Sequence, residues 1–290
     1  MYVTRFAPSP TGPLHLGHAY SAAIGFLRAR KKAGQFLLRI EDIDQSRSRV
    51  HWENQIYDDL SWIGLTWQPN IMRQSERMPE YQKAIRKLGK LGLLYPCSCT
   101  RGDIKQALAA PQEGIPKNGP DGLIYPGICR HRSISDARSK DAIRLNIKQA
   151  VQYLDKGKEL NKVVFSETGP IYDGLYSLAD IDFTTQVGDF VIARRDMGTS
   201  YHLSVVVDDH ASGVTEVVRG ADLWEATPIH RLLYALLDIP APAWHHHDLI
   251  RDTDGKRLAK RDDARSIRSF RDAGDTPEQV LAHVGLDGVL

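Results

Sequence analysis

Two histidines, His15 and His18, stand three residues apart just after a loop with prolines at positions 8, 10 and 13. The prolines forbid helix and strand up to that point, and a helical pattern then begins near Leu14. Both imidazoles would share one face of the first helical turn, where free N–H groups and partial positive charge favour a polyphosphate. Gly17 leaves room for a nucleotide against the backbone. The residues predict a phosphate site in which the histidines stabilise a leaving pyrophosphate, although they could simply cap an ordinary helix.

A second group of cations follows the Asp254-Gly255 turn. Between residues 251 and 271 the basic side chains outnumber the acidic ones, which favours contact with phosphates. Lys260 is the natural candidate to close over a triphosphate and engage late in the reaction. The alternative is a solvated basic turn on the surface.

Three cysteines, Cys97, Cys99 and Cys129, are too few for a disulfide framework, and their grouping indicates a metal site. Zinc prefers thiolates in a tetrahedral shell, so three cysteines need a fourth ligand, for which His131 is a common chemical choice. The alternative is three reduced cysteines without metal. The run 245–247 of three histidines is interpreted as structural, because adjacent side chains on a strand point in opposite directions.

The elements that position these residues begin with a βαβ unit: a strand at 2–6, a helix that ends near Gly34, and a buried strand at 36–40. This order predicts a right-handed crossover, a parallel sheet and a ligand site at the carboxyl ends of the strands. Further expected elements are helices at 49–63, 79–91 and 229–237, a short strand at 142–147, and sheet-like segments at 201–207 and 214–218.

Composition describes an ordinary globular protein of 290 residues with 42% hydrophobic and 26% charged residues. A net charge of +2 neither demands nor excludes a nucleic-acid partner. No signal-peptide pattern and no apolar run of about 20 residues is present, so we expect a cytoplasmic protein without a membrane partner. Monomer is the working expectation for its oligomeric state.

Residues 15–18 and 257–261 together resemble the HIGH and KMSKS signatures of class I aminoacyl-tRNA synthetases. Segments 5–12, 38–44 and 201–222 are similar to the glutamyl and glutaminyl branch of that family. The resemblance implies an α/β fold: a Rossmann-like catalytic domain (1–94 and 187–250), an inserted α+β acceptor-binding subdomain (95–186), and the KMSKS-like loop with a short helical segment (251–290). Because about 29 residues follow Arg261, we expect no anticodon-binding domain.

The same resemblance implies roles for individual residues. Glutamate has two carboxylates and one ammonium, which Arg5 and Arg219 on one side and Glu41 on the other could pair with. The implied glutamate site is Arg5, Phe6, Ala7, Pro8, Ser9, Glu41, Tyr201 and Arg219. The implied ATP site is His15, Gly17, His18, Arg257 and Lys260, with His15, His18 and Lys260 catalytic. The alternatives are a salt bridge between neighbouring strands for Arg5 and Glu41, and core packing for Tyr201. Ala259 and Arg257 depart from the usual loop, which would weaken phosphate binding.

The short C-terminal part and the cysteine pattern resemble the stand-alone glutamyl-queuosine tRNA(Asp) synthetases. That resemblance implies activation of glutamate without tRNA and transfer to queuosine in the anticodon, with L-glutamate, ATP with Mg²⁺, and tRNA(Asp) carrying queuosine as partners. It also implies a structural Zn²⁺ held by Cys97, Cys99, Tyr125 and Cys129. Three alternatives are a minimal glutamyl-tRNA synthetase that charges the 3′ end, a small-molecule nucleotidyltransferase, and a non-catalytic RNA-binding module.

Overall fold

A βαβ unit forms the start of the chain and positions the predicted phosphate site. The computed structural model describes residues 1–109, 118–158, 160–250, 265–286 and 288. Strand β1 (Val3–Phe6) runs parallel to β2 (Gln35–Ile40), and helix α1 (Leu16–Lys31) connects them. The predicted parallel pairing is confirmed, and the loop that joins β1 to α1 lies at the carboxyl end of the strand.

Glycine is required where α1 turns into β2. A Cβ atom on Gly34 would lie 2.3 Å from the carbonyl oxygen of Tyr2, which no real contact tolerates. The next residue, Gln35, donates its backbone N–H to that same oxygen at 2.8 Å. The helix end predicted at Gly34 therefore coincides with a turn that packs directly on the residue before β1.

The rest of the first ninety residues follows the sequence prediction closely. Helix α2 (Val50–Trp62) and helix α3 (Met78–Lys90) lie within a residue of the predicted bounds, and the short strand β3 (Met72–Arg73) separates them.

Short elements dominate the middle of the chain. They are β4 (Leu94–Cys97), α4 (Arg101–Ala107), β5 (Asn118–Gly119), β6 (Gly122–Leu123), β7 (Ala142–Leu145), α5 (Ile147–Lys158), β8 (Val164–Glu167), β9 (Gly174–Ser177), α6 (Phe183–Gln186) and β10 (Val191–Ala193). The strand expected at 142–147 is confirmed as β7.

Longer elements return after residue 200. They are α7 (Tyr201–Ala211), β11 (Glu216–Gly220), α8 (Thr227–Leu236), β12 (Ala243–His247), α9 (Ile267–Asp272) and α10 (Pro277–Ala282). The strand near 214–218 and the helix near 229–237 are confirmed with shifts of one or two residues.

The sheet-like prediction for residues 201–207 is wrong, because this segment forms helix α7. Ser200 caps the helix and accepts a hydrogen bond from the backbone N–H of Leu203 at 3.4 Å. Residues 202–206, 208 and 209 are all buried. Since the helix is covered on nearly every side, its apolar residues show no 3.6-residue stripe, and its valines resemble a strand.

Two of the four sheets of the described residues meet at β1 and β11. One sheet has the order β1-β2-β3 and the other the order β11-β12-β8-β9, with neighbours parallel except at β9. Thr215, just before β11, donates its backbone N–H to the carbonyl of Val3 at 2.9 Å, and Val3 donates to the Thr215 hydroxyl oxygen at 2.9 Å. Strands β4, β7 and β10 form a separate antiparallel sheet.

The domain boundaries proposed from the sequence stay a prediction. Strand β8 lies inside the range 95–186 assigned to the insertion, yet it pairs with β12 through Glu167 and Trp244. This pairing favours an insertion that ends before Val164.

Glu216 at the start of β11 ties the two sheets to helix α1. Its buried carboxylate accepts hydrogen bonds from Arg28 at 2.6 and 2.8 Å and from the hydroxyl of Tyr2. Burial alone would raise the pKa of Glu216, but the bonds from Arg28 and Tyr2 and the charge of Lys32 hold it at about 2. Folding is therefore coupled to ionisation of this carboxyl.

We predict that Glu216→Gln lowers the free energy of unfolding by about 3 kcal/mol at pH 7, because the lowered pKa contributes stability above pH 4.5. That contribution is lost as the pH falls from about 4.5 towards 2, so the difference between the two proteins shrinks over this range. Urea unfolding of both proteins at pH 7, 5 and 3.5 measures it. A difference that does not change with pH would contradict the assignment.

Candidate active site and metal centre

A cavity of about 860 Å³ opens beside the loop that follows β1. The predicted site residues that line it are Phe6, Ala7, Pro8, Ser9, His18, Glu41 and Tyr201. The cavity extends to side chains of the predicted insertion, among them Arg101, Asp121 and Arg144. The structure therefore brings the N-terminal loop, the end of β2 and the start of α7 to one place.

Arg5 and Arg219 are buried, with 7% and 5% of their surface exposed, and they are not part of this lining. Arg5 pairs with both carboxylate oxygens of Asp209 on α7, at 2.9 and 3.1 Å. Arg39 on β2 donates to the same carboxylate and to Glu41 at 3.0 Å. The expected alternative of an Arg5–Glu41 salt bridge is not what the structure shows: each of these residues has a different partner.

This group is a buried network of charges. Arg5 and Arg39 share the carboxylate of Asp209, and Arg39 also holds Glu41. Arg219 is linked through His246 to the buried carboxylate of Glu167. Burial alone would raise the pKa of Asp209, but Arg39 and Arg5 hold it below its usual value. Burial raises the pKa of Glu41 in spite of the same two guanidinium groups.

The guanidinium of Arg219 is held on three sides. Nε donates to His246 Nε2 at 3.0 Å, Nη1 to His230 Nδ1 at 3.1 Å, and Nη2 to the hydroxyl of Thr227 at 2.7 Å. His246 in turn bonds Glu167 at 2.6 Å through Nδ1. Burial lowers the pKa of Arg219, and the charge of Arg5 adds to this effect. Because arginine has five N–H donors, these partners fix its plane and still leave donors for a ligand.

Tyr201 connects Arg219 to the cavity. Its side chain lines the cavity, and it lies close enough to Arg219 for the charge of that guanidinium to act on its hydroxyl. Burial raises the pKa of Tyr201, so the hydroxyl keeps its proton at neutral pH. The position of Tyr201 at the cavity wall favours substrate contact over core packing, and its role stays a prediction.

His15 and His18 cap helix α1, and this capping defines their chemistry. His15 Nδ1 accepts the backbone N–H of Gly17 at 3.1 Å, and His18 Nδ1 accepts the backbone N–H of His15 at 3.2 Å. The two rings lie 3.8 Å apart between centroids. Since Nδ1 is an acceptor in both, each neutral ring carries its proton on Nε2. Both histidines thus present a donor of the kind that phosphate oxygens accept.

A second cavity of about 250 Å³ shares His18 with the first, and His15, Gly17, Gly220 and Asp222 also line it. Ile250 lines it as well, and Ser266 forms a β-bridge with His15. Residues 251–264 lie outside the described residues, so the phosphate contacts predicted for Arg257 and Lys260 stay predictions. The described residues on both sides of this segment lie at the histidine pair.

The three cysteines form the candidate metal centre. Their Sγ atoms all lie within 4.8 Å of one another, and those of Cys99 and Cys129 are 3.5 Å apart. A tetrahedral zinc with Zn–S bonds of about 2.3 Å separates its thiolates by roughly 3.8 Å. The donor set and its spacing fit zinc after small side-chain shifts.

Tyr125 lies in the fourth position. Its hydroxyl oxygen is 3.4 Å from the sulfur of Cys97 and 3.3 Å from that of Cys99, and it accepts the backbone N–H of Cys129 at 2.8 Å. Burial raises the pKa of Tyr125, so a metal's charge would be needed for this oxygen to lose its proton. Within the described ranges, the candidate ligand group holds the three cysteines and not the exposed His131.

Sequence reasoning missed the residues that hold the predicted ones in place. They are Arg39, Asp121, Glu167, His202, Asp209, Thr227, His230 and His246. Arg39 gave a usable signal, because a charge inside an apolar strand must find a buried partner. The others gave none: Asp209 lies just after the segment 201–207 that was predicted as sheet-like, and His246 was interpreted only as part of a structural triple.

A parallel βαβ sheet whose first helix begins at two histidines, beside a cavity with buried cations, is the architecture of class I synthetase catalytic domains. The sequence agrees with this class: residues 1–290 match the family described as tRNA synthetases class I (E and Q), catalytic domain. The chain belongs to this family and is a ligase. No helix in the described ranges is long and apolar enough to span a membrane.

Individual relatives show which members of the family the chain is similar to. The chain is 50% identical over 286 residues to the Glutamyl-Q tRNA(Asp) synthetase of Rhodobacter capsulatus, covering 98% of this chain and 100% of that protein. It is 38% identical to the glutamate–tRNA ligase of Aquifex aeolicus, of which it covers 57%. A crystal structure of a glutamate tRNA ligase from Elizabethkingia meningosepticum in complex with its amino acid superposes with a TM-score of 0.69 at 28% identity, over 90% of this chain. The chain spans about half, 52%, of that ligase.

We predict that Asp209→Asn lowers the free energy of unfolding by about 3–5 kcal/mol, because it leaves two guanidinium groups buried without their shared counter-charge. The matched control is Asp58→Asn, whose exposed carboxylate pairs with Arg271 and Arg268 on the surface. An exposed pair contributes less than about 1 kcal/mol. Urea unfolding at pH 7 compares them, and equal losses in the two variants would contradict the central role of Asp209.

Proposed function

We propose that this chain activates L-glutamate with ATP to form glutamyl-adenylate, requires no tRNA for that step, and transfers the glutamyl group to queuosine in the anticodon of tRNA(Asp). The observation that carries the activation step is the pair of buried guanidinium groups of Arg5 and Arg219 near a cavity that Glu41 lines, because glutamate offers two carboxylates and one ammonium. The choice of acceptor rests on the 50% identity to the Rhodobacter capsulatus protein over that protein's whole length.

Each charged group of glutamate has a partner in the proposed complex. The α-ammonium pairs with Glu41 at the end of β2. The carboxylates pair with Arg219, whose plane three protein partners hold, and with Arg5, whose Nη1 group lies outside its pair with Asp209. Tyr201 orients the substrate through its hydroxyl, and the residues Phe6, Ala7, Pro8 and Ser9 form the wall.

ATP binds at the start of α1 in this proposal. His15 and His18 donate from Nε2 to phosphate oxygens, and Gly17 lets the nucleotide lie against the backbone. The α-carboxylate of glutamate attacks the α-phosphorus in line, the bond to the bridging oxygen breaks, and pyrophosphate leaves. The two imidazoles and the positive end of the helix stabilise the charge that develops on pyrophosphate. Arg257 and Lys260 are proposed to contact the same phosphates.

Two metals accompany the proposal. Mg²⁺ enters with ATP, as family chemistry implies, and no residue is assigned to it. Zn²⁺ is assigned to Cys97, Cys99, Tyr125 and Cys129, where it would crosslink β4 to the segment around residue 129. The ring of Tyr125 packs under the guanidinium of Arg144 at 4.0 Å, and Arg144 lines the main cavity. The metal would therefore stiffen one wall of the acceptor side.

A second candidate function is a minimal glutamate–tRNA ligase that esterifies the 3′-terminal adenosine. The 38% identity to the Aquifex aeolicus enzyme favours it, and every residue of the activation site would serve it equally well. The two functions differ only in where the glutamyl group is attached.

We expect purified protein to exchange labelled pyrophosphate into ATP with glutamate, in the absence of tRNA, and with no other common amino acid. Labelled glutamate should attach to tRNA(Asp) from cells that make queuosine and not to the same tRNA from cells that cannot. Nuclease digestion should place the label in the anticodon fragment. Label at the 3′ end would establish the second candidate, and no exchange with any amino acid would overturn the activation step.

Zinc content tests the metal assignment. We expect about one zinc per chain in the purified protein, and Tyr125→Phe should raise the rate at which a chelator removes it, because one of four ligands is lost. His131→Ala is the matched control and should release zinc at the original rate. Zinc lost from the His131 variant alone would move the fourth ligand to His131, and protein that binds no zinc on titration would overturn the site.

A further inference from the structure

Behind the amino-acid end of the cavity lies a chain of side chains that the proposed reaction does not use. His230 Nδ1 accepts a hydrogen bond from Arg219 Nη1 at 3.1 Å, and His230 Nε2 lies 3.0 Å from His202 Nδ1. His202 Nε2 lies 3.5 Å from a carboxylate oxygen of Asp121. This series of side chains thus runs from the buried guanidinium of Arg219 to the carboxylate of Asp121 at the cavity wall.

The direction of every link follows from the chemistry of the two ends. Arginine can only donate, so His230 accepts at Nδ1 and carries its proton on Nε2. His230 therefore donates to His202, which accepts at Nδ1 and carries its own proton on Nε2. That proton faces Asp121, an acceptor. Both histidines must be neutral, and each must be in the Nε2–H form.

The surroundings of His230 favour its neutral state. His230 and His202 are buried, with 2% and 5% of their surface exposed. The charged and titratable groups that face His230 are Arg219, His202, Arg5, His246 and Tyr201. Those that face His202 are Asp121, His230 and Tyr201. Burial, followed by Arg219 and His202, lowers the pKa of His230 well below its usual value.

Asp121 lies in a different part of the sequence from His202 and His230. It stands in the turn between β5 and β6, and its carboxylate lines the main cavity. The hairpin is packed closely, since a Cβ on Gly119 would lie 2.4 Å from the carbonyl oxygen of Gln186. Burial alone would raise the pKa of Asp121, but His202, Arg144 and Arg194 hold it below its usual value. The series therefore ends at an ionised acceptor whose side chain is 44% exposed at the cavity wall.

We infer that His230, His202 and Asp121 are positioning residues that orient Arg219 for the substrate carboxylate, so that the β5–β6 hairpin becomes part of the amino-acid site. A guanidinium with only Thr227 and His246 as partners could still tilt about Nε, and the bond at Nη1 removes that freedom. Loss of the orientation weakens glutamate binding and leaves the ATP site unchanged. This inference rests on the proposed function, because it assumes that Arg219 contacts glutamate.

The decisive variants exploit the two nitrogens of each ring. His230→Leu removes the acceptor for Arg219, whereas His230→Asn keeps an acceptor oxygen near the Nδ1 position. His202→Asn likewise keeps the acceptor for His230 and loses the link to Asp121, and Asp121→Ala removes the final acceptor. His210→Gln is the control, because His210 is exposed at the far end of the same helix α7.

The measurement is pyrophosphate exchange with full-length protein, with glutamate and ATP varied in turn. A charge-assisted hydrogen bond contributes about 1.5–3 kcal/mol, so His230→Leu should raise the KM for glutamate at least about tenfold. The KM for ATP should stay within about twofold of the original value. His230→Asn should recover most of the glutamate affinity, which a merely structural role would not require. Asp121→Ala and His202→Asn should raise the glutamate KM by a similar, smaller factor, and combining them should add nothing.

Three outcomes would overturn the inference. They are an unchanged glutamate KM in folded His230→Leu protein, a parallel rise in the KM for ATP, and strictly multiplicative effects of Asp121→Ala and His202→Asn. If His230→Leu does not fold, the His230→Asn and Asp121→Ala proteins carry the same test. Absence of glutamate-dependent exchange in the unaltered protein would instead refute the proposed function, so the two failures are distinguishable.

Discussion

One buried carboxylate organises the amino-acid end of the site. Asp209 on α7 binds Arg5 from β1 and Arg39 from β2, and the first of these partners is 204 residues away in the chain. A buried charge is stable only when it is paired. If either guanidinium moved away, the buried carboxylate of Asp209 would lose a partner, which costs free energy. Asp209 therefore fixes two parallel strands and one helix relative to one another. The position of Glu41 also depends on Asp209, because Arg39, which Asp209 binds, donates a hydrogen bond to Glu41.

Such a cluster is a poor source of stability compared with apolar packing, and its value lies in organisation. Buried guanidinium groups and carboxylates lie side by side next to a cavity, and Arg219 is linked to the carboxylate of Glu167 through His246. A protein built only for stability would have apolar side chains here. A binding site benefits from the charged groups, because a charged substrate enters a field that is already in place and needs no reorganisation.

At the start of helix α1, a residue that caps the helix can also be one that binds phosphate. His15 and His18 do cap the helix, as the simpler reading holds, and their capping bonds occupy Nδ1 in both rings. That occupation fixes the tautomer and turns Nε2 into the donor. The cysteine cluster has a similar double character, since Tyr125 closes the ligand group and also supports Arg144 at the cavity wall.

The sequence by itself determined the βαβ unit, the histidine pair at the start of a helix, the cysteine group with Tyr125, and the family. These features are local: they depend on spacing within a few residues, on prolines and glycines that restrict the backbone, and on residue types with particular chemistry. Tertiary structure alone decided that residues 201–211 form a helix, that β8 joins β12, and that Asp209, His230 and His246 support the predicted site. A helix buried on nearly every side loses its periodic pattern, and partners in a buried charge network are determined by proximity in space. The spacing of residues along the chain therefore predicts neither the helix at 201–211 nor the partners of the buried charges.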